Sequence, residues 1–551
     1  MKRNLHPMLV ILLIILYGII FLVPFSGAVH LFDWDEIIFA ESAREMIISG
    51  DYMTVTINYE PFWEKPPLFI WLQVISMKLF GINEFAARFP NAICGILTLI
   101  ILFLAGRKVH GNRFGMLWSL AYATAILPFF YFQTGIIDPW FNLFIFLGIL
   151  FFIFFLEGMH SVKRYLQVSL SAFFLGLAVL TKGPVAVLIF VLAFTVFLIL
   201  RRGKISVVPM HVVVFSLVLL LTGGSWFMVA IMNGNMDVVR SFIDYQAGLF
   251  SEDFAGHGGF PGFHFVILLF GAFPASVFML SGITKKKEDV RKAHTLRMWM
   301  YILLAVVLIV FSLVQTKLVH YSSLAWFPIT FISAWVIHHW LDRKLEIKRW
   351  QLALLGGIGT VYVLLTVLVP TVMLYPELFT DRFPELTDPY VYGVLHAEAG
   401  WGAADYLPAL LLAGGLIYAL PRIRKREFKG LFALHIVTFL FTFSLMLLYV
   451  PKVEKMIQGP AIAFIEEHAG TDNRVVALGF KSFAPYFYGE WMPGYMPGDK
   501  EDWISRDRDG HPLYVVMKAD KSQRVMQKYP RLMILEEKGG FVFAILMPEP
   551  D

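Results

Sequence analysis

Apolar runs near twenty residues long recur from Leu9 to Val450, and no other feature of this chain constrains its fold as much. In hydrocarbon every backbone N–H and C=O must find a partner inside the chain, so runs of that length read as membrane-spanning helices. The charge content agrees: 16% of the 551 residues are charged and 58% are hydrophobic, where a soluble domain carries roughly 25% charged residues. The expected fold is a polytopic α-helical membrane protein. Hydropathy marks thirteen spans, at residues 8–27, 85–106, 114–132, 136–157, 165–181, 184–200, 208–232, 262–282, 296–314, 320–341, 351–374, 406–421 and 430–450. Residues 68–80 are apolar but too short to span, and read as an interfacial helix. The first run follows Lys2 and Arg3 but has no small-x-small cleavage pattern before His30, so it is read as a retained span. The single cysteine, Cys94, lies in an apolar run, which leaves no intrachain disulfide and no cysteine metal site.

Lys and Arg fix the expected orientation. The N-terminus and the loops at 107–113, 158–164, 201–207, 283–295, 342–350 and 422–429 hold 24 of them. The alternate loops, at 28–84, 133–135, 182–183, 233–261, 315–319 and 375–405, are longer in total but hold 7. The amino terminus is therefore expected in the cytoplasm, and an odd number of spans puts residues 451–551 on the outer side. This divides the chain into a transmembrane domain, residues 1–450, whose first outer loop is 28–84, and a C-terminal domain, 451–551. In that tail, residues 474–480 and 513–517 read as strands, and 531–535 and 541–547 as a hairpin around Lys538-Gly539-Gly540. Residues 461–468 and 521–528 read as helices, giving a small α/β domain. There is no nucleotide-binding Gly-rich motif, and nothing points to nucleic acid.

The unusual polar residues all fall on the expected outer side. Asp33-Trp34-Asp35-Glu36 opens a segment, 37–49, whose apolar positions share one face while Glu41, Arg44 and Glu45 share another. That pattern suits a helix lying in the membrane interface, with Asp35 favoured at its N-terminus. Asp35, Glu36 and Asp138, the last in Ile137-Asp138-Pro139, are the candidate catalytic acids. In Glu64-Lys65-Pro66-Pro67 the prolines hold Lys65 extended and fix where its ammonium points. Lys182, in Thr181-Lys182-Gly183-Pro184, and Lys317, His320 and Tyr321, in Lys317-Leu318-Val319-His320-Tyr321, sit in short outer turns. His257 lies in the Gly-rich Ala255-Gly256-His257-Gly258-Gly259, and with Glu64 forms a two-ligand candidate for a divalent cation. Taken singly, each residue has an ordinary alternative as a helix cap, a turn residue or a snorkelling lysine. Several on one side, with excess Lys, ask for an anionic ligand presented by the membrane.

In this order the motifs resemble the GT-C superfamily of membrane glycosyltransferases, most of all the branch holding lipid A aminoarabinose transferase and its protein O-mannosyltransferase relatives. The resemblance runs the length of the chain and implies a bacterial inner-membrane protein whose C-terminal domain is periplasmic. It implies a polyprenyl-phosphate-linked sugar donor and transfer on the periplasmic face to a lipid A, glycan or protein acceptor. It implies that Asp35 matches the first-loop catalytic aspartate, Asp138 a second required acid, and Glu64-Lys65 the lipid-phosphate segment. His257 matches an outer-loop histidine, and Lys182, Lys317 and Tyr321 match motifs around the donor pocket. Two positions depart from the pattern. Aminoarabinose transferases carry Arg-Tyr where this chain has Ile38-Phe39, and Arg where it has Gly258. On this reading Asp35 is the general base, with Asp138 orienting the acceptor or its neighbours. Lys65, Lys182, Lys317 and His320 clamp the departing phosphate, and inversion at the anomeric carbon is expected. The rival class is a transporter or flippase, which would place ionisable groups near the membrane midplane between repeated halves.

Overall fold

The computed structural model describes residues 5–158, 161–203, 205–234, 236–251, 259–282, 291–470, 474–494 and 512–547. Among them, eight helices are long and apolar enough to cross a membrane. They coincide with eight of the expected spans, from Glu84–His110 to Phe428–Ile457. Two more spans are bent pairs: Pro209–Gly223 with Ser225–Met232, bent by 57°, and Phe263–Gly271 with Ala275–Gly282, bent by 110°. The other three are shorter helices. Pro7–Phe21 and Val185–Leu200 are single pieces, and residues 114–132 divide into Asn112–Ala123 and Ile126–Tyr131. Leu68–Phe80 is a short apolar helix, as expected.

Two small β units accompany the helices. A ribbon in the first loop pairs β1, Thr56–Ile57, with β2, Glu60–Pro61. The C-terminal sheet contains β3 (Arg474–Leu478), β4 (Leu513–Lys518), β5 (Leu532–Lys538) and β6 (Phe541–Leu546), in the order β3-β4-β6-β5. β3 and β4 run parallel, and β6 is antiparallel to both of its neighbours. Gly539 and Gly540, both at positive φ, turn the β5–β6 hairpin where the sequence places it. Helix Gly459–Glu467 lies on the sheet, with Phe464 stacked on Phe543 at 4.4 Å between centroids.

The first-loop helix, Asp35–Ser49, corrects one expectation. Its polar face is not turned to water at an interface, because every residue from Glu36 to Met46 is buried. The apolar face packs on Leu68–Phe80, where Phe39 meets Phe69 edge-to-face at 5.8 Å. The charged face is a docking surface for the C-terminal domain. Arg44 forks onto both oxygens of Glu41 at 2.7 Å and donates to the carbonyl of Trp491 at 2.5 Å. Tyr59 donates to the same carbonyl. Asp33 Oδ1 accepts the Phe483 N–H at 3.0 Å, and the Gln458 amide donates to Leu31 O at 2.9 Å. A charged face reads as solvated when its partner lies more than 400 residues along the chain, as Trp491 does from Arg44.

Glu36 is also placed differently from its expected catalytic role. Its carboxylate takes a two-point ion pair from Arg88 at 2.9 and 2.7 Å, and accepts the backbone N–H groups of Phe32 and Gly135. Burial pushes its pKa upward, but the Arg88 charge and these donors outweigh burial and hold it below the usual carboxylate range. With every nearby donor aimed at it, Glu36 is an anchor for the loop.

Glu45 behaves in the opposite way. Burial, with the Glu41 carboxylate beside it, pushes its pKa up to about 8. The folded chain therefore keeps a proton that the unfolded chain releases above about pH 4.5, so stability falls as pH rises between those two values. In detergent, Glu45→Gln is expected to flatten that part of the melting temperature–pH curve while leaving its acid side unchanged. An identical slope in the variant would show that Glu45 is not its source.

Candidate active site

Helix ends position the charged residues of the site. Asp138 is the first residue of Asp138–Glu157 and Lys182 is the last of Ser161–Lys182. A carboxylate at a helix N-terminus and an ammonium at a C-terminus are each favoured by the helix dipole. Here they meet, with Lys182 Nζ 2.6 Å from Asp138 Oδ1. Gly183, at φ +118°, lets the chain turn directly after Lys182, and a Cβ there would stand 2.9 Å from the Phe242 ring. Lys182 Nζ also lies 5.6 and 5.2 Å from the ring centroids of Phe141 and Tyr321. The second oxygen of Asp138, Oδ2, is buried with no hydrogen-bond partner.

These groups line a cavity of ≈ 470 Å³, and Asp35, Glu64, Lys65, His320 and Tyr321 line it with them. Asp35 opens its helix directly after Trp34, whose φ of +77° is unusual for a bulky residue. Among the described residues no hydrogen bond or ion pair engages the Asp35 carboxylate. Lys65 is steadied instead. Its ammonium donates to the Tyr245 hydroxyl at 3.3 Å, lies 4.8 Å from that ring's centroid, and is 3.7 Å from Glu64 Oε2. Burial, and then the Glu64 charge, raise the Tyr245 pKa, so its hydroxyl stays protonated. The remaining wall is largely apolar, including Ile38, Phe62, Phe141, Val185, Phe311 and Leu318.

The structure thus brings Asp35, Glu64, Lys65, Asp138, Lys182, His320 and Tyr321 to one cavity. It does not bring Lys317. That ammonium, lowered in pKa by burial, folds back onto the carbonyls of Phe311, Ser312 and Val314, the open end of helix Arg291–Leu313. It is a helix cap and not a phosphate clamp, because three carbonyl acceptors already surround it. Glu36 faces away, for the reasons given above. His257 lies outside the described residues, and so half of the Glu64–His257 cation pair does too. Among the described residues no three His, Cys, Asp or Glu side chains gather as metal ligands.

Among the cavity residues that the sequence did not single out are Tyr245, Lys481 and Phe483. Tyr245 sits on Met236–Ser251, a strongly amphipathic helix in what reads as a loop, and that periodicity was a usable signal. Lys481 and Phe483 come from the C-terminal domain just past β3, and nothing local in Lys481-Ser482-Phe483 marks them out.

Residues 64–226 match the family model described as dolichyl-phosphate-mannose-protein mannosyltransferase. An undecaprenyl phosphate-alpha-4-amino-4-deoxy-L-arabinose arabinosyl transferase of Photorhabdus laumondii is 25% identical over 403 residues, 72% of this chain and 70% of that protein. An uncharacterized protein of Aquifex aeolicus is 26% identical over 38% of this chain; the match spans only about two-fifths of that relative's length, 41%. Among solved structures, ArnT from Cupriavidus metallidurans bound to undecaprenyl phosphate superposes with a TM-score of 0.75 at 17% identity, over 98% of this chain and 99% of that one. At that identity the likeness is one of fold.

The fold is the multi-pass helical fold of ArnT. In sequence the chain is similar to the mannosyltransferase family model over residues 64–226 and to an aminoarabinose transferase over 72% of its length.

The Asp138–Lys182 contact can be probed directly. Removing one partner of a buried pair is expected to cost about 3–5 kcal/mol, so Asp138→Asn and Lys182→Met should each melt well below the parent protein. The double variant should recover about 1–3 kcal/mol relative to the sum of the two. Strict additivity in thermal melts would show that the pair does not act as a unit.

Proposed function

We propose that the chain transfers a sugar from a polyprenyl phosphate to a hydroxyl-type acceptor, with inversion at the anomeric carbon. The observation carrying this reading is the convergence, in one apolar-walled cavity, of a disengaged carboxylate, Asp35, with an ammonium held in place, Lys65. Such a transfer has two demands. The acceptor hydroxyl must lose its proton as it attacks, and the departing phosphate must be stabilised as charge grows on it. Asp35 accepts the proton. The bond between the anomeric carbon and the phosphate oxygen breaks as the bond to the acceptor oxygen forms, and the electron pair leaves on the polyprenyl phosphate beside Lys65.

The supporting residues divide in the same way. Tyr245 orients Lys65. Lys182 adds a second cation whose charge Asp138 largely balances, so Asp138 positions Lys182. His320 and Tyr321 complete the wall on the phosphate side of the reading, and Glu36 fixes Asp35 through the neighbouring backbone. Lys317 has no part. The family's aminoarabinose branch would place a guanidinium at Ile38, but here a β-branched aliphatic side chain meets the cavity. Phosphate recognition therefore falls to lysine ammonium groups, and the acceptor, whether lipid A, another glycan or protein, is not assigned by the motif. The loop asymmetry of Lys and Arg supports a cytoplasmic amino terminus and a periplasmic reaction face, where nucleotide sugars are not the donors. No step is routed through a cation.

In purified protein with an undecaprenyl-phosphate sugar, Asp35→Asn is expected to lower turnover at least about 100-fold with donor affinity unchanged. Retention of more than a few per cent of turnover would remove Asp35 as the base. Lys65→Ala is expected to weaken undecaprenyl phosphate binding about tenfold, the scale of one charge-assisted hydrogen bond. Unchanged lipid affinity would sink the clamp.

A further inference from the structure

The span Val319–Leu341 does not begin as an α-helix. Its first seven residues, Val319–Ala325, form a 3-10 helix, and the α-helix starts at Trp326. Runs of 3-10 helix longer than about four residues are uncommon, because their hydrogen bonds are poorly aligned. A run of seven at the head of a span therefore needs support from its neighbours. It also carries two residues of the site, since His320 and Tyr321 line the cavity from it.

Helices Asp138–Glu157, Phe263–Gly271 and Arg291–Leu313 pack against this segment. The first two reach it with polar side chains. Asn142 lies one turn after Asp138 on its helix, and its amide donates to Ser323 Oγ at 2.8 Å. Ser323 Oγ in turn donates to the His320 carbonyl at 2.5 Å. From Phe263–Gly271, His264 Nδ1 is 3.1 Å from Ser322 Oγ. All four side chains are buried, Asn142 at 4% exposure and the others at 1% or less, so water does not compete for these bonds. An amide and an imidazole buried this deeply are costly unless they are hydrogen-bonded. The bonds they make lead to one place, the backbone that carries His320 and Tyr321. The alternative conformation would disturb the cavity wall. A 3-10 helix advances about 120° per residue and an α-helix about 100°. Rewinding Tyr321 to Ala325 as α-helix would therefore swing His320 by about 100° relative to Trp326–Leu341, away from its place in the wall.

We propose that Asn142 and His264 are positioning residues: through Ser323 and Ser322 they hold Val319–Ala325 in its 3-10 form and so keep His320 and Tyr321 aimed at the cavity. The helix that begins at Asp138 thereby fixes His320 as well, one turn further along, and the carboxylate and the imidazole share one frame. The proposal rests on the transferase reading above for what His320 and Tyr321 do, which is to face the lipid phosphate.

The test uses the full chain in nanodiscs, with undecaprenyl phosphate as the probe. Asn142→Leu and Ser323→Ala both remove the Asn142–Ser323 bond. Each is expected to speed amide hydrogen exchange across residues 319–325 at least about tenfold and to weaken lipid affinity about fivefold. The two together should be no worse than Ser323→Ala alone. Ser323→Thr and His264→Asn keep a hydrogen-bonding group in place and should behave as the parent does, whereas His264→Phe should resemble Asn142→Leu. In a His320→Ala, Tyr321→Ala background, Asn142→Leu should loosen the segment without weakening lipid affinity further, which a merely structural role would not spare. Parental exchange in both Asn142→Leu and Ser323→Ala overturns the proposal. So does a full second loss of affinity when Asn142→Leu is added to the His320→Ala, Tyr321→Ala background. Exchange reports the clamp and affinity reports its use. If the His320→Ala, Tyr321→Ala protein binds the lipid as the parent does while exchange still responds to Asn142→Leu, the phosphate-side reading falls and the clamp stands.

Discussion

The ion pair between Glu36 and Arg88 organises what surrounds it. Glu36 belongs to the first loop, Arg88 to the long helix Glu84–His110, and the Gly135 amide to the turn just before Asp138. Arg88 also donates to the carbonyls of Ser26, Val29 and His30, so one guanidinium gathers the chain that leaves the first helix. Two charges this deeply buried are tolerable only because almost every polar position on them is used. Their reward is geometric, since Asp35 and Asp138, one and three residues from the anchored points, reach the same cavity.

Around that anchor, the site is built from the ends of helices. Asp35, Asp138 and Lys182 all occupy terminal positions where an unpaired charge is least costly, and Lys65 stands just before the helix that begins at Leu68. The hydrocarbon-facing parts of the same helices stay apolar. This separation lets a chain with few charges concentrate several of them around one cavity without burying those at mid-span.

How much of this was legible follows from the range of each interaction. Residues 85–106, 136–157 and 351–374 announce themselves because hydropathy is local, and the β5–β6 hairpin because Gly539-Gly540 is. Lys65 and Asp138, both of which reach the cavity, stand out in the sequence beside their proline neighbours. Lys317 was misread because its Lys-Leu-x-His-Tyr setting matches a motif, while the carbonyls it caps lie only three to six residues back and leave no mark on composition. Glu36 and Arg44 were misread for the opposite reason: their partners lie 52 and 447 residues away. Lys481 leaves no local mark in the sequence, since it reaches the cavity only once the C-terminal sheet has docked on the first loop.

That docking has a consequence for how the protein is made. The buried charged face of Asp35–Ser49 and the cavity wall that Trp34 and Lys481 share are contributed by opposite ends of the chain. The first loop leaves the ribosome hundreds of residues before the segment that covers it. Through most of synthesis Arg44 lacks the Trp491 and Tyr486 carbonyls, and the wall beside Asp35 stands half built. Completion of the cavity is thereby a late event in biogenesis, and a chain that stalls in its last membrane helices carries Asp35 and Lys65 without a finished chamber around them.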